Sequence, residues 1–161
     1  MKRTTPRQFI GFKTALKRTL SKIKPLEAVE KVLAESVGCV SAEKLRARVD
    51  APSADVSMKD GYAVRSVDIE DTLHSTAVRL RLDGVAAAGE KRRLVVGPGS
   101  TVRVLTGALL PENADAIVAE EFTQRDDDHV RIEAHAETGR NILCRGSDID
   151  KYEVLIVAGH V

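Results

Sequence analysis

The chain has 161 residues, enough for one domain of ordinary size or two small ones sharing a core. Hydrophobic residues at 43% and charged residues at 30% mark a globular composition and exclude a disordered one. With 25 Lys and Arg against 24 Asp and Glu, the net charge of +1 provides no global field for nucleic acid or an anionic membrane, and no Trp with only two Tyr and three Phe leaves few stacking platforms for bases.

In chain order, the first residues are locally cationic ("MKRTTPR", then "KTALKRTLSKIK"). From Phe9 to Ile23 the apolar residues fall at Phe9, Phe12, Leu16, Leu20 and Ile23, spacings of three and four that predict an amphipathic helix with a solvated basic face. Pro25 suits the first turn of a second helix, "PLEAVEKVLAESVG", whose apolar positions Leu26, Val29, Val32, Leu33 and Val37 keep the helical period up to a stop at Gly38.

The period then changes to two. "AVRLRLDG" alternates Val78, Leu80 and Leu82 with Arg79, Arg81 and Asp83, predicting a half-buried strand that ends in an Asp-Gly turn. "LVVGPGSTVRVLTG" predicts two strands around Gly97-Pro98-Gly99. "DAIVAEEF" and "HVRIEAHA" read as antiparallel partners joined by the polar loop "TQRDDD", and "NILCRG" and "EVLIVAG" close the chain on either side of an acidic turn. Short strands at this spacing without intervening helices imply an antiparallel barrel or sandwich, not a parallel βαβ sheet. The last apolar strand runs to Val161, from which we expect further protein to follow.

Cys39 and Cys144 stand far apart, outside any Cys-x-x-Cys pair; buried free thiols are expected, with a disulfide left open by counting. Of the four histidines only His129 and His135 are near one another, and six residues along a strand is too far to chelate one metal, so no metal site is assigned. No run is long enough to span a bilayer and no secretory h-region follows the basic start, so the expected setting is the cytoplasm.

No Walker loop, nucleophile elbow or His-Glu-x-x-His segment is present. Polar residues instead recur where strands meet turns. In "KDGYAV", Asp60 can accept hydrogen bonds from downstream amides and Gly61 tolerates a positive φ, which suffices for a turn. In "RVLTGALLP", the Thr106 hydroxyl can cap a turn or contact a ligand. Asp115, Glu120 and Glu121 bracket the strand in "ADAIVAEE", where solvation of a sheet edge explains the glutamates. In "GRNILCRGSDI", Arg140 and Arg145 beside glycines can bind an anion or pair with nearby aspartates.

The order of these motifs resembles the N-terminal region of the MoeA family, molybdenum-inserting enzymes of molybdenum cofactor biosynthesis, to which a module of gephyrin is related. "SMKDGYAV", "AAAGE", "VRVLTGALLPENADAIVAEE" and "GRNILCRGSDI" follow the family's succession from about Val37 onward. Three departures stand out. Lys59 replaces the usual Met, and an adjacent cation favours an ionised Asp60 in a salt-bridged, structural role. Asn113 replaces a Gly but tolerates the left-handed conformation. Ser147 replaces a Glu, leaving Asp148 as the acid.

The resemblance implies a mainly β fold with N-terminal helices, built of coiled, bifurcated antiparallel sheets with a barrel-like inserted β domain. It divides the chain into a helical part of a linker-like domain (1–51), the inserted β domain (52–137) and returning strands of the linker-like domain (138–161). It implies a role in inserting molybdate into adenylylated molybdopterin with Mg²⁺, with Asp60 and Thr106 as catalytic candidates and Arg140 and Asp148 as weaker cofactor-binding candidates. The implied partners are a second copy in a homodimer, the molybdopterin-binding domain that these residues lack, in the same or a partner subunit, and other cofactor-biosynthesis proteins. The chain by itself is expected to be inactive. The alternative is a stand-alone, non-catalytic dimerisation or scaffolding module of the same fold.

Overall fold

The structure is a computed structural model that describes residues 9–74, 76–90 and 92–161. The cationic "MKRTTPR" therefore lies outside the described residues. The chain forms two units, one of residues 1–43 with 158–161 and one of residues 44–157.

In the first unit, helix α1 (Phe12–Leu20) carries the predicted apolar stripe, with Lys17 and Arg18 in its last turn where they complement the helix dipole. None of its residues is buried. The predicted second helix is not formed: only a single 3₁₀ turn, Leu33–Glu35, appears in that stretch. Its apolar stripe is exposed, Leu26 at 95% and Leu33 at 88%, but so is that of α1, so burial does not separate the two stretches. The Ser41 N–H donates to the His160 carbonyl and the Gly159 N–H to that of Ser41, tying the two ends of this unit together.

The second unit is built on a six-stranded sheet in the order β6-β3-β5-β4-β8-β7, formed by β3 (Gly61–Val64), β4 (Val78–Ala86), β5 (Ser100–Val104), β6 (Ala116–Ala119), β7 (Thr123–Asp126) and β8 (His129–Ile132). Two short pairs flank it: β1 (Leu45–Arg46) with β10 (Val154–Ile156), and β2 (Val56–Ser57) with β9 (Ile142–Leu143). The fold is mainly β, as expected. The sheet is antiparallel except for β4 and β5, which run parallel.

Both faces of the central strands are buried. Tyr62, Val64, Leu80, Ala116, Val118, Val130 and Ile132 pack in one cluster, under Ile69 of the 3₁₀ segment Ser66–His74. Ala63, Val102, Val104 and Ile117 pack with Val96 and Ala108 in another. Each fully buried Val or Ile here contributes about 1.5–3 kcal/mol of transfer free energy.

The strand at Val78 does not end at Asp83-Gly84. It continues to Ala86, with one extra residue between the pairs Leu82↔Thr101 and Val85↔Arg103. This bulge, at Gly84 with φ 151°, resets the alternation, so that Leu80 belongs to the first cluster and Ala86 to the second. "TQRDDD" is likewise not a loop between β6 and β8. Its first four residues are β7, which pairs with β8, while β6 pairs with β3. The turn falls at Asp127, whose φ of 50° an aspartate tolerates. Both cysteines are free but exposed, not buried.

Candidate functional site

The candidate residues meet at one end of the central strands. Because β3 runs antiparallel to β5 and to β6, Gly61 at the start of β3 faces Val104 near the end of β5 and Ala119 at the end of β6. This register brings Asp60, Thr106 and Glu120 together, although up to 60 positions separate them in the chain. The Thr106 N–H donates to Asp60 Oδ1 at 2.7 Å and its hydroxyl to the same oxygen at 2.8 Å. The Glu120 N–H donates to the Asp60 carbonyl at 3.1 Å.

Asp60 is exposed, and among the described residues its Oδ2 accepts no hydrogen bond. The Thr106 backbone N–H, and next its hydroxyl, hold the Asp60 carboxyl below its ordinary value; the Arg103 guanidinium adds a smaller pull. Lys59 makes no ion pair with Asp60 among the described residues. Its backbone instead closes a small turn, the Ser57 hydroxyl donating to the Lys59 carbonyl at 2.5 Å. The lowering at Asp60 thus comes chiefly from Thr106, and the neighbouring lysine is not among its causes.

Gly61 has a role that the Asp-Gly pattern conceals. Its backbone is not left-handed, and a Cβ built on it would lie 2.2 Å from the Val118 carbonyl oxygen. Glycine is needed for close strand approach, not for a turn. Gly107, by contrast, has φ +81°, the conformation that a Thr-Gly corner requires.

Around this core, Asn141 replaces a turn of backbone with its side chain. At φ 58°, it donates from Nδ2 to the Ile117 carbonyl at 2.8 Å, and its own carbonyl accepts the Met58 N–H. "GRNI" is therefore fastened to both "SMKDG" and β6. Asn113 has φ 65°, as expected of the residue replacing Gly, and its turn is intact. Asp115 accepts from the Ser66 N–H at 2.6 Å and hydroxyl at 2.8 Å, joining the far end of β3 to β6.

Arg140 contributes backbone bonds only: its N–H donates to the Glu137 carbonyl and its carbonyl accepts the Ile117 N–H. Asp148 likewise has only its N–H engaged, on the Ala51 carbonyl. No bond among the described residues joins either side chain to Asp60. Arg145 pairs with an aspartate at 2.6 Å, but with Asp50, 95 positions away, and not with one of the nearby aspartates. Glu121 is exposed, and Glu120 pairs with Arg103 at 3.1 Å. Among the described residues no three His, Cys, Asp or Glu side chains form a metal-holding group, and no helix is long and apolar enough to cross a membrane.

The mainly β fold occurs in solved structures. A crystal structure of a molybdopterin biosynthesis moeA protein from Pyrococcus horikoshii OT3 matches with a TM-score of 0.85 and 32% identity, covering 94% of this chain and 40% of that one. The model of the MoeA N-terminal region (domains I and II) matches residues 10–161, and the chain belongs to that family. The molybdopterin molybdenumtransferase of Staphylococcus aureus strain Mu50 is 30% identical over 152 residues, 94% of this chain and 36% of that protein. That of Bacillus subtilis strain 168 is 34% identical over 131 residues, 79% of this chain and 30% of its own length. The chain thus spans 30–36% of the length of these curated relatives.

Proposed function

We propose that this chain supplies one wall of the site at which a molybdopterin molybdenumtransferase inserts molybdate into adenylylated molybdopterin, releasing AMP. The family match and the names of the relatives support the reaction. The observation that carries the site is the Asp60 carboxylate, fixed through one oxygen by both donors of Thr106 and exposed at the strand ends. The other wall is the molybdopterin-binding domain, outside the part of the relatives that this chain matches. Within this reading, residues 52–137 are an inserted β domain between the linker-like parts 1–51 and 138–161.

A carboxyl held below its ordinary value is a weak base at neutral pH. Asp60 is therefore better suited to orienting groups and balancing positive charge than to abstracting a proton. Mg²⁺ takes one or two protein carboxylates and completes its shell with water and substrate phosphate, so a single outward, ionised oxygen fits it. In that case Asp60 Oδ2 would hold the ion, which when bound would offset charge on the leaving phosphate. Arg140 and Asp148, exposed at the same motif, remain candidates for contact with the anionic cofactor. We further propose a cytoplasmic homodimer that exchanges its cofactor with other proteins of molybdenum cofactor biosynthesis.

The test joins residues 1–161 to the remaining region of the Bacillus subtilis relative and measures AMP release from adenylylated molybdopterin with molybdate and Mg²⁺. Release by the chimera, none by the 161 residues alone, and a loss of roughly 100-fold or more in Asp60→Asn is expected. A fully active Asp60→Asn chimera would remove Asp60 from the site.

A further inference from the structure

We propose that Arg103 is a positioning residue for Asp60: its ion pair with Glu120 forms a strap across the first residues of β3 and fixes the carboxylate that they carry. The proposal rests on the reading of Asp60 as an active-site group.

Strand order supplies the argument. β3 lies between β6 and β5, yet Arg103 belongs to β5 and Glu120 follows the last residue of β6. Their ion pair must therefore reach across β3, two strand spacings or about 10 Å. Arg103 faces Tyr62, and Tyr62 faces Val118, so these three side chains stand on one face of the sheet. Asp60 directly precedes β3, and Glu120 opens a 3₁₀ turn (Glu120–Phe122) directly after β6. The strap thus crosses β3 next to Asp60, and the Glu120 N–H bonded to the Asp60 carbonyl anchors it to the same backbone.

The arginine is held more tightly than an ordinary surface residue. Nη2 lies 3.1 and 3.2 Å from the two Glu120 oxygens. Among the described residues the buried Nε has no partner, and the side chain is only 29% exposed. The two Nη2 bonds to Glu120 set the guanidinium in place, with its charge close enough to act on the Asp60 carboxylate.

The test uses the 161-residue chain, because its readouts do not require turnover. Amide exchange of the Thr106 N–H, which donates to Asp60 Oδ1, reads how firmly the carboxylate is held. Arg103→Met keeps the stem without the charge. It is expected to speed Thr106 exchange, with the resonances of the distant β7–β8 hairpin unchanged. Arg103→Lys restores a cation and is expected to recover the slow exchange. Glu120→Gln leaves the arginine but loosens its anchor, so Thr106 exchange should again accelerate. Unchanged Thr106 exchange in Arg103→Met, or failure of Lys to recover it, overturns the proposal. If Arg103→Met does not fold, Glu120→Gln decides: faster Thr106 exchange supports the strap and unchanged exchange sinks it. An active Asp60→Asn chimera would refute the proposed role of Asp60 without altering these measurements, so the two failures are distinguishable.

Discussion

Gly61→Ala separates two explanations of the Asp-Gly pair. Were Gly61 a flexible turn residue in an ordinary conformation, alanine would stabilise the protein by about 0.4–1 kcal/mol by restricting the unfolded chain. The added Cβ, however, would lie 2.2 Å from the Val118 carbonyl oxygen and 3.0 Å from the Ala119 Cα. Both obstacles are backbone atoms, which cannot rotate away as a side chain does. Overpacking of this kind costs about 1–3 kcal/mol. Parting β3 from β6 also weakens the Glu120 N–H bond to the Asp60 carbonyl and the ladder at Gly61↔Ala119, at about 1 kcal/mol for each bond lost. The total is about 3–5 kcal/mol, or more than about 10 °C in Tm for a domain on the order of 100 residues. Thermal unfolding followed by circular dichroism measures it. Gly97→Ala is the control, since a Cβ there meets only the Ser100 Oγ at 3.6 Å, and its Tm should stay close to that of the parent. A Gly61→Ala protein within 3 °C of the parent, roughly 0.5 kcal/mol on the same scale, refutes the close-approach argument.

Three further perturbations follow from the same geometry. Asp115→Ala leaves the Ser66 N–H and hydroxyl without their acceptor and should lower stability by about 2–3 kcal/mol in urea unfolding, with the denaturant slope unchanged. Asp60→Asn keeps an oxygen for both Thr106 donors, so its Tm at pH 7 should stay within a few degrees of the parent, in contrast to the loss expected in turnover. The Lys151 N–H and the Arg145 guanidinium hold Asp50 below its ordinary value. A carboxyl depressed on folding contributes stability that is present above the unfolded value of about 3.9 and is lost as pH falls through the folded one. The Tm difference between parent and Asp50→Asn should therefore be largest near neutral pH and shrink below about pH 4, and a constant difference would contradict it.

What the sequence revealed depended on whether the deciding contact was local. The strand at Val78–Leu82 and helix α1 were legible because burial or its period is written in consecutive residues. The second helix was misread because the period of Leu26, Val29 and Leu33 describes a face and not a helix; exposure, which α1 shares, does not explain the difference. Asp83-Gly84 and Asp60-Gly61 share one dipeptide, yet the first is a bulge inside β4 and the second a point of close strand contact. Only the partner strand distinguishes them. The same holds for "TQRDDD", whose polar residues form an exposed edge strand that hydropathy cannot tell from a loop. Asp60 and Thr106 were singled out by resemblance, but that both Thr106 donors point at one Asp60 oxygen, and that Arg103 bridges to Glu120, depends on strand order. No spacing of residues encodes that order.

Charge decides how Asp60 can act. An ionised carboxylate repels both molybdate and phosphate, and the nearby cations do little to reverse its sign. Lys59 makes no ion pair with it among the described residues, and Arg103 is already paired with Glu120. Thr106 does not offer an alternative contact for an anion, because its single hydroxyl proton is directed at Asp60 Oδ1. Its outward lone pairs accept and do not donate. Within the proposed function, Thr106 would serve by holding Asp60 in one rotamer, which would remove an ordering cost from the step that needs the carboxylate. Within the proposed function, Asp60, whose Oδ2 accepts no hydrogen bond among the described residues, would meet anionic substrates only through a cation or a neutral attacking group. On the same proposal the donors that contact the anions themselves would come from the molybdopterin-binding region.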